Sequence, residues 1–303
     1  MKKLLAFLLA LLPLLSSILP VTAADSPRKS VYSSYRIPTG SVRMVAHRGY
    51  SAVAPENTLP AFKLAGENGF WGAECDISPT ADGAWVIMHD DTVDRTTNGE
   101  GKVIDFTLDE LRALAIDEGN NVEQYPNTRV PLLTEYLDVC KAYGMYAVIE
   151  IKGCTPVGQL DSLAALLSAR EEKERFIIIS FGREHCARMK ELLPETPVYI
   201  LIGGAPEEEF YDTVLFAVKH KLDGIDFASV WGKESVKTAQ KAGLKTMVWT
   251  VDDLGTVERF YRWGVRDFTT NSLTPTAPEG NLFQRLLWRL RDAFYQFYRF
   301  FQR

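Results

Sequence analysis

The feature that most constrains the fold is a repeated alternation of short apolar runs with longer segments of helical periodicity. Gly144, Gly243 and Gly264 fall where helix C-termini favour a residue that tolerates positive φ. Parallel strands need crossovers of about a dozen residues, and the spacing from the third run onward supplies them. The pattern predicts repeated βα units. The predicted strands are 43–47, 73–77, 145–151, 176–180, 198–202, 223–227, 245–250 and 266–269.

Eight parallel strands favour a closed TIM-type (β/α)8 barrel over 42–274, although an open doubly wound sheet has a similar linear pattern. One region departs from the regular alternation. Trp85 to His89 reads as a strand that follows Asp82-Gly83, a hairpin signal, directly after the second strand. We therefore predict a small insertion at 90–130.

The two ends of the chain differ from this domain. Lys2 and Lys3 precede a Leu-rich run, and small residues at 21–24 offer a cleavage site, so residues 1–24 read as a secretory signal. An uncleaved anchor is the alternative, because the run is only slightly shorter than the ~20 residues that span a bilayer. Residues 25–41, rich in Ser, Pro and charge, are predicted to be a linker, and the protein is expected outside the cytoplasm or in the cell envelope.

The tail at 275–303 begins with a Pro-rich break and continues as a strongly amphipathic helical pattern. Two interpretations stay open: the closing eighth helix of the barrel, or a helix that lies on a membrane surface through 281–303. Five Arg against one Asp on this segment favour contact with anionic lipid. The apolar face comprises Phe283, Leu286, Leu287, Leu290, Phe294, Phe297 and Phe301.

Composition narrows the function classes. Hydrophobic residues make up 46% of the chain, enough for a full core, and the net charge of −5 argues against a nucleic-acid partner. The four cysteines have no CxxC spacing, which excludes zinc-ribbon and thioredoxin-type sites. Cys75 lies between two acidic residues on a strand, so alternation predicts a packed core thiol.

Polar residues close several of the predicted strands, where the active site of such a barrel lies. Glu74 and Asp76 are two residues apart, as are Glu150 and Lys152, so each pair points to one face of its strand. Three carboxylates without cysteine suit one hard divalent cation, Ca²⁺ or Mg²⁺. A buried salt-bridge network with Lys152 is the alternative.

Two of the four histidines, His47 and His89, also end strands, which favours acid–base roles near neutral pH. Arg48 offers a donor fork that matches phosphate. Trp249 either lines an apolar part of the mouth and contacts the carbon backbone of a substrate, or fills the barrel. Ordinary structural roles are expected elsewhere: His185 and His220 lie in helical patterns, and Asp252 and Asp253 are predicted to cap the next helix.

Four segments together resemble the glycerophosphodiester phosphodiesterase family, over roughly Val42 to Asn271. They are VAHRGYSAVAPENTLPAF at 45–62, AECDI at 73–77, VIMHDDTVDRTTNGEG at 86–101 and VIEIK at 148–152. The resemblance implies a TIM barrel with a small insertion after strand two. It also implies metal-dependent hydrolysis that releases glycerol phosphate and an alcohol.

Carried over by position, the resemblance gives each candidate a role. The acid–base pair falls on His47 and His89, the metal ligands on Glu74, Asp76 and Glu150, and the phosphate contacts on Arg48 and Lys152. Glu56 and Asn57 match the acidic and amide residues after the first strand, with Glu56 a further site contact, and the DRTTNG turn at 94–99 fits as well.

Two alternatives remain at this stage. One is a related barrel phosphodiesterase that acts on a lysophospholipid or a glycerol-phosphate polymer. The other, from a different class, is a non-catalytic barrel that binds phosphate or carbohydrate. The complete set of histidines and carboxylates argues against the non-catalytic barrel.

Overall fold

A computed structural model describes residues 30–33, 37 and 40–275 of the chain. Eight of the strands in these residues are parallel neighbours in the order β1-β9-β8-β7-β6-β5-β4-β2, and β1 also pairs with β2, so the sheet closes on itself. The predicted (β/α)8 barrel is confirmed. The strands are β1 Arg43–Ala46, β2 Gly72–Pro79, β3 Trp85–Ile87, β4 Tyr146–Ile151, β5 Phe176–Ser180, β6 Val198–Ile202, β7 Gly224–Ala228, β8 Lys245–Trp249 and β9 Asp267–Thr270.

Helices fill the crossovers and cover the outside of the barrel. Its interior has its own apolar cluster, which includes Val45, Val148 and Met247, while a larger core lies between the strands and the helices. Strands covered on both faces read as continuous apolar runs, which is why the sequence located them. The helices are α1 Leu59–Glu67, α2 Leu108–Ala113, α3 Leu133–Tyr143, α4 Leu160–Ser168, α5 Arg183–Leu192, α6 Glu207–Lys219, α7 Lys233–Lys241 and α8 Leu254–Arg262.

The irregular region after β2 folds as predicted. Strand β3 pairs antiparallel with the end of β2, with Ile77 opposite Ile87 and Pro79 opposite Trp85. The segment from β3 to α3 then builds a separate small core that includes Val93, Val103, Leu111 and Val130. This insertion carries His89 and Asp90 to the rim of the barrel.

The segment predicted as a linker, 25–41, is partly packed, which corrects the predicted domain start at Val42. Val31 and Ile37 are buried in the main core, and the Val31 N–H donates to the Thr274 carbonyl at 2.9 Å. Composition failed here because a few apolar side chains in a Ser- and Pro-rich segment leave no periodic signal. They pack beside the residues that follow β9.

Side-chain contacts define the start of α1 and the environment of the cysteines. Thr58 caps α1 by accepting from the Ala61 N–H, whereas the neighbouring Asn57 donates to Asp76. Cys75 is a fully buried core thiol, as predicted, and each of the four cysteines, all within the described residues, is free.

Predictions for the two ends fall outside the described residues. These are the signal or anchor at 1–24 and the amphipathic helix of the tail. Within 30–33, 37 and 40–275, no helix has the length and apolar character needed to cross a bilayer.

Candidate active site

A cavity of about 260 Å³ opens at the C-terminal ends of the barrel strands. Its lining is divided. Charged and titratable side chains occupy the side formed by β1, β2 and β4, and apolar side chains occupy the side formed by β5, β6 and β8. The first set comprises His47, Arg48, Glu74, His89, Glu150 and Lys152, and the second comprises Ile179, Phe181, Leu201 and Trp249. Three polar residues complete the lining: Asp226 on β7, which lies among the apolar set, Thr250 and Thr269.

Three buried carboxylates meet on the charged side. Ligand oxygens of Glu74, Asp76 and Glu150 all lie within 4.8 Å of one another, because β2 and β4 are neighbours and Asp76 is paired in register with Glu150. Glu74 Oε1 is buried without a hydrogen-bond partner among the described residues. An oxygen-only set with one unpaired buried oxygen fits a hard divalent cation.

The electrostatics of the three carboxylates point the same way. Burial, with the charges of Asp76 and Glu150, raises the pKa of Glu74 well above its usual range. Burial and the Asp76 charge raise the pKa of Glu150 to about 7. Burial also opposes ionisation of Asp76, yet the charges of Lys152, His89 and Arg48 bring its pKa below the usual value. Without a cation, protonation of the two glutamates therefore lowers the negative charge of the cluster.

Cationic side chains bracket this cluster. Lys152 Nζ lies 2.9 Å from Glu150 Oε1 and 3.2 Å from Asp76 Oδ1. Arg48 adopts a left-handed backbone conformation, with φ 55°, which turns its N–H onto Glu74 Oε2 at 2.8 Å. Its guanidinium donates to Glu56 Oε1 at 2.8 Å. Strained residues of this kind concentrate at functional sites.

His47 is oriented by an amide. Its Nδ1 lies 2.8 Å from Asn271 Oδ1, while Asn271 Nδ2 donates to Asp252 Oδ2 at 2.7 Å. A carboxylate only accepts, so the Asn271 oxygen must face the ring and His47 Nδ1 must donate. Nε2 is then left with a free lone pair. Burial and the Arg48 charge lower the pKa of His47 below 6.5, which favours the neutral ring.

His89 is oriented by a carboxylate. Its Nδ1 lies 2.6 Å from Asp90 Oδ1, and Arg95 donates to the other oxygen of Asp90 at 2.6 Å. The hydrogen bond from Arg95, and then that from His89, depress the pKa of Asp90, so this carboxylate is ionised. Arg95 also donates to Glu56 at 2.8 Å, which ties the insertion to the loop after β1.

The structure brings the sequence candidates together. Glu56 does not line the cavity but forms ion pairs with Arg48 and Arg95. Trp249 lies at the mouth, edge-on to Phe181 with ring centroids 5.6 Å apart.

The residues expected to have ordinary structural roles lie apart from this chemistry. Asp253 caps α8 as predicted. Asp252 does not, because its oxygens accept from Asn271, Thr270 and Ser272. His185 and His220 lie away from this cavity, on α5 and at the end of α6.

Several residues of the site were missed by sequence reasoning. Arg95 lies in the DRTTNG turn and Asp90 directly follows His89, and the sequence assigned neither residue a role of its own. Asn271 sits 224 residues from the histidine it orients, so no local pattern could connect them. Asp226 on β7 and Thr269 on β9 also line the cavity. The only sequence signal for them is the alternation of interior and exterior residues along a barrel strand.

Residues 47–274 match the Glycerophosphoryl diester phosphodiesterase family. A glycerophosphodiester phosphodiesterase of Caldanaerobacter subterraneus subsp. tengcongensis is 35% identical over 231 residues, which are 75% of this chain and 93% of that protein. A glycerophosphodiester phosphodiesterase of Bacillus subtilis is 30% identical over 280 residues, covering 88% of this chain and 93% of that protein.

The fold is similar to solved structures as well. A phosphodiesterase of Oleispira antarctica, solved in complex with the product sn-glycerol-3-phosphate, superposes with a TM-score of 0.67 at 27% identity. The similarity covers 80% of this chain and 96% of that one.

Proposed function

The chain belongs to the glycerophosphoryl diester phosphodiesterase family, and from that premise we propose how its barrel mouth hydrolyses a glycerophosphodiester to glycerol 3-phosphate and an alcohol. One observation carries the proposal. Two cationic side chains, two histidines oriented by different partners and two buried glutamates line a single cavity, and Asp76 lies with these glutamates in one carboxylate cluster.

Glu74, Asp76 and Glu150 would hold the divalent cation on which the family's hydrolysis depends. We infer Ca²⁺ or Mg²⁺, because the donors are all oxygen and one Glu74 oxygen lacks another partner in the described chain. Bound there, the cation would polarise the phosphoryl oxygens and offset their charge.

Arg48 and Lys152 would hold the phosphodiester against this cluster. Both are partly exposed to the cavity, with 19% and 14% of their side-chain surfaces accessible, and both are fixed by carboxylates. Fixed cations aimed at a site of developing charge stabilise the transition state without reorganisation.

We assign the general base to His47 and the general acid to His89. His47 is neutral and presents the Nε2 lone pair, which suits removal of a proton from the nucleophile. The nucleophile would be either water or the substrate's own glycerol hydroxyl, and the hydroxyl route would form a cyclic phosphate that water then opens to glycerol 3-phosphate. His89 lies against the ionised Asp90, which can balance the charge of a doubly protonated ring. His89 would then protonate the departing alcohol oxygen as its bond to phosphorus breaks.

A leaving-group comparison tests this assignment. A p-nitrophenolate leaves without a proton, so His89→Ala should slow sn-glycero-3-phospho-p-nitrophenol far less than sn-glycero-3-phosphoethanolamine, whereas His47→Ala should slow both alike. The reverse pattern, with His47→Ala rescued by the better leaving group, would contradict the assignment.

The small cavity favours a deacylated substrate. A lysophospholipid is the second candidate, because Phe181 at the rim is 49% exposed and could meet an acyl chain. A panel of deacylated diesters, lysophospholipids and polyglycerol phosphate, with and without chelator, separates these substrate classes. Turnover confined to lysophospholipids would reject the first candidate.

Export and membrane contact complete the proposal, and both rest on sequence outside the described residues. The signal-like residues 1–24 support an extracellular or envelope location. The amphipathic pattern at 281–303 supports contact with anionic lipid, which would hold the enzyme near lipid-derived substrates.

Co-sedimentation with anionic vesicles, comparing residues 25–303 with 25–278 at low and high salt, tests the membrane contact. Binding by the longer form alone, weakened by salt, is expected. If the longer form stays in the supernatant, or if truncation unfolds the barrel, the tail is instead the closing helix.

A further inference from the structure

Two buried polar side chains line the cavity but have no role in the proposed hydrolysis. Asp226 on β7 is 1% exposed and Thr269 on β9 is 3% exposed, and both line the active-site cavity. Neither oxygen of the Asp226 carboxyl, nor Thr269 Oγ1, has a hydrogen-bond partner in the described part of the chain. Buried polar groups in native proteins are almost always paired, so these atoms call for a partner from the cavity.

Asp226 is distinct from the carboxylates of the cation site. It is absent from their cluster, and no Lys or Arg of the described residues forms an ion pair with it. Burial, with smaller contributions from Glu150 and Asp267, raises its pKa well above the usual range. Asp226 is therefore a neutral carboxyl that can both donate and accept a hydrogen bond, as the Thr269 hydroxyl can.

The position of these groups relates them to the substrate. Arg48 and Lys152 would fix the phosphodiester on the charged side, so an ester arm that crosses the mouth would meet the lining residues of β7, β8 and β9. Trp249, on the strand between Asp226 and Thr269, lines the same cavity and donates its Nε1–H to the Asp226 carbonyl at 3.2 Å. Its ring offers an apolar wall for the carbon backbone.

We propose that Asp226 and Thr269 bind the terminal hydroxyl of the glycerol moiety and so select glycerol diesters over diesters of simpler alcohols. This inference deepens the proposed function and rests on it. A hydroxyl both donates and accepts, which matches the two groups, and a site built to bond a hydroxyl discriminates strongly against the analogue that lacks it.

The test uses two diesters with the same leaving group, sn-glycero-3-phospho-p-nitrophenol and 2-hydroxypropyl p-nitrophenyl phosphate. They differ at the terminal hydroxyl, and both keep the hydroxyl nearer the phosphate. The full chain should prefer the glycerol diester in kcat/KM by about tenfold or more. Asp226→Leu should bring that ratio close to one, and Thr269→Val should reduce it partly.

Two further variants keep the proposal falsifiable. Asp226→Asn retains a donor and an acceptor and should keep most of the preference. Thr246→Val is the matched control, because Thr246 is a buried threonine on β8 that bonds Gln240 at 3.2 Å and does not line the cavity. Its ratio should equal that of the wild type.

Different failures are distinguishable. An unchanged ratio in both Asp226→Leu and Thr269→Val would overturn the hydroxyl site, as would an Asp226→Asn variant that loses the preference. If Asp226→Leu does not fold, the Asn and Val variants still decide the matter. If the wild type turns over neither diester, the phosphodiesterase function itself falls, and the hydroxyl site with it.

Discussion

The two sides of the barrel mouth are built from the same βα units, yet their side chains differ in kind. On β1, β2 and β4, ionisable groups lie within hydrogen-bond distance of one another, as Lys152 does to Glu150 and Asp76. On β5, β6 and β8 the cavity meets Ile179, Leu201 and Trp249 instead, with Asp226 of β7 between the last two. We therefore expect the two sides to serve different purposes: changes on the charged side should alter kcat, and changes on the apolar side should alter KM.

The largest effect is expected from the cation ligands on the charged side. Glu74→Gln, Asp76→Asn and Glu150→Gln each remove a charged oxygen, so each should weaken divalent-ion affinity and lower turnover by about 100-fold or more at a fixed ion concentration. Calorimetric titration with Ca²⁺ and Mg²⁺ measures the affinity. Wild-type affinity in any one variant would remove that residue from the ligand set.

The histidines come next. His47→Ala or His89→Ala should lower kcat by about 100-fold on a natural diester, because each loses one proton transfer. Circular dichroism should show an intact fold. Near-normal turnover in either folded variant would exclude that histidine from the mechanism.

A smaller effect is expected one step away from the chemistry, at Asn271. Asn271→Ala removes the hydrogen bond that orients His47, worth about 1 kcal/mol, so kcat should fall roughly fivefold with little change in KM. Ser272→Ala, which loses only a 3.2 Å contact with Asp252, serves as the control.

The pH profile separates this positioning role from a structural one. The base must be unprotonated, so kcat/KM should fall as pH drops through the His47 pKa, which burial and Arg48 place below 6.5. The Asn271 hydrogen bond raises that pKa, so Asn271→Ala should move the acid limb to still lower pH. An unmoved limb would contradict direct support of His47 by Asn271.

The smallest effect is expected on the apolar side. Phe181→Ala removes a half-exposed ring beside Trp249 and should raise KM by about threefold while kcat stays near the wild-type value. Steady-state kinetics on a deacylated diester measures both constants. A large loss of kcat instead would break the division of the mouth into two sides.

The sequence predicted the parts of this site that local pattern can encode. Apolar runs located the strands, and alternation placed Glu74 with Asp76 on one face, since both depend only on neighbouring residues. The hydrogen bonds that orient these groups were not predictable in the same way. Asn271 reaches His47 across 224 residues because β9 pairs with β1 to close the barrel. Arg95 reaches Glu56 across 39 residues because the insertion folds against the loop after β1.

The proposed hydrolysis requires that Glu74, Asp76 and Glu150 hold a divalent cation at the barrel mouth. The most direct test is glycerophosphodiester turnover by the full chain after chelation, followed by addition of Ca²⁺ or Mg²⁺, for the wild type and Glu74→Gln side by side. We predict that chelation abolishes wild-type turnover, that one of the two ions restores it, and that the same concentration fails to restore Glu74→Gln. Full turnover in excess chelator, or equal restoration of both proteins, would contradict the account.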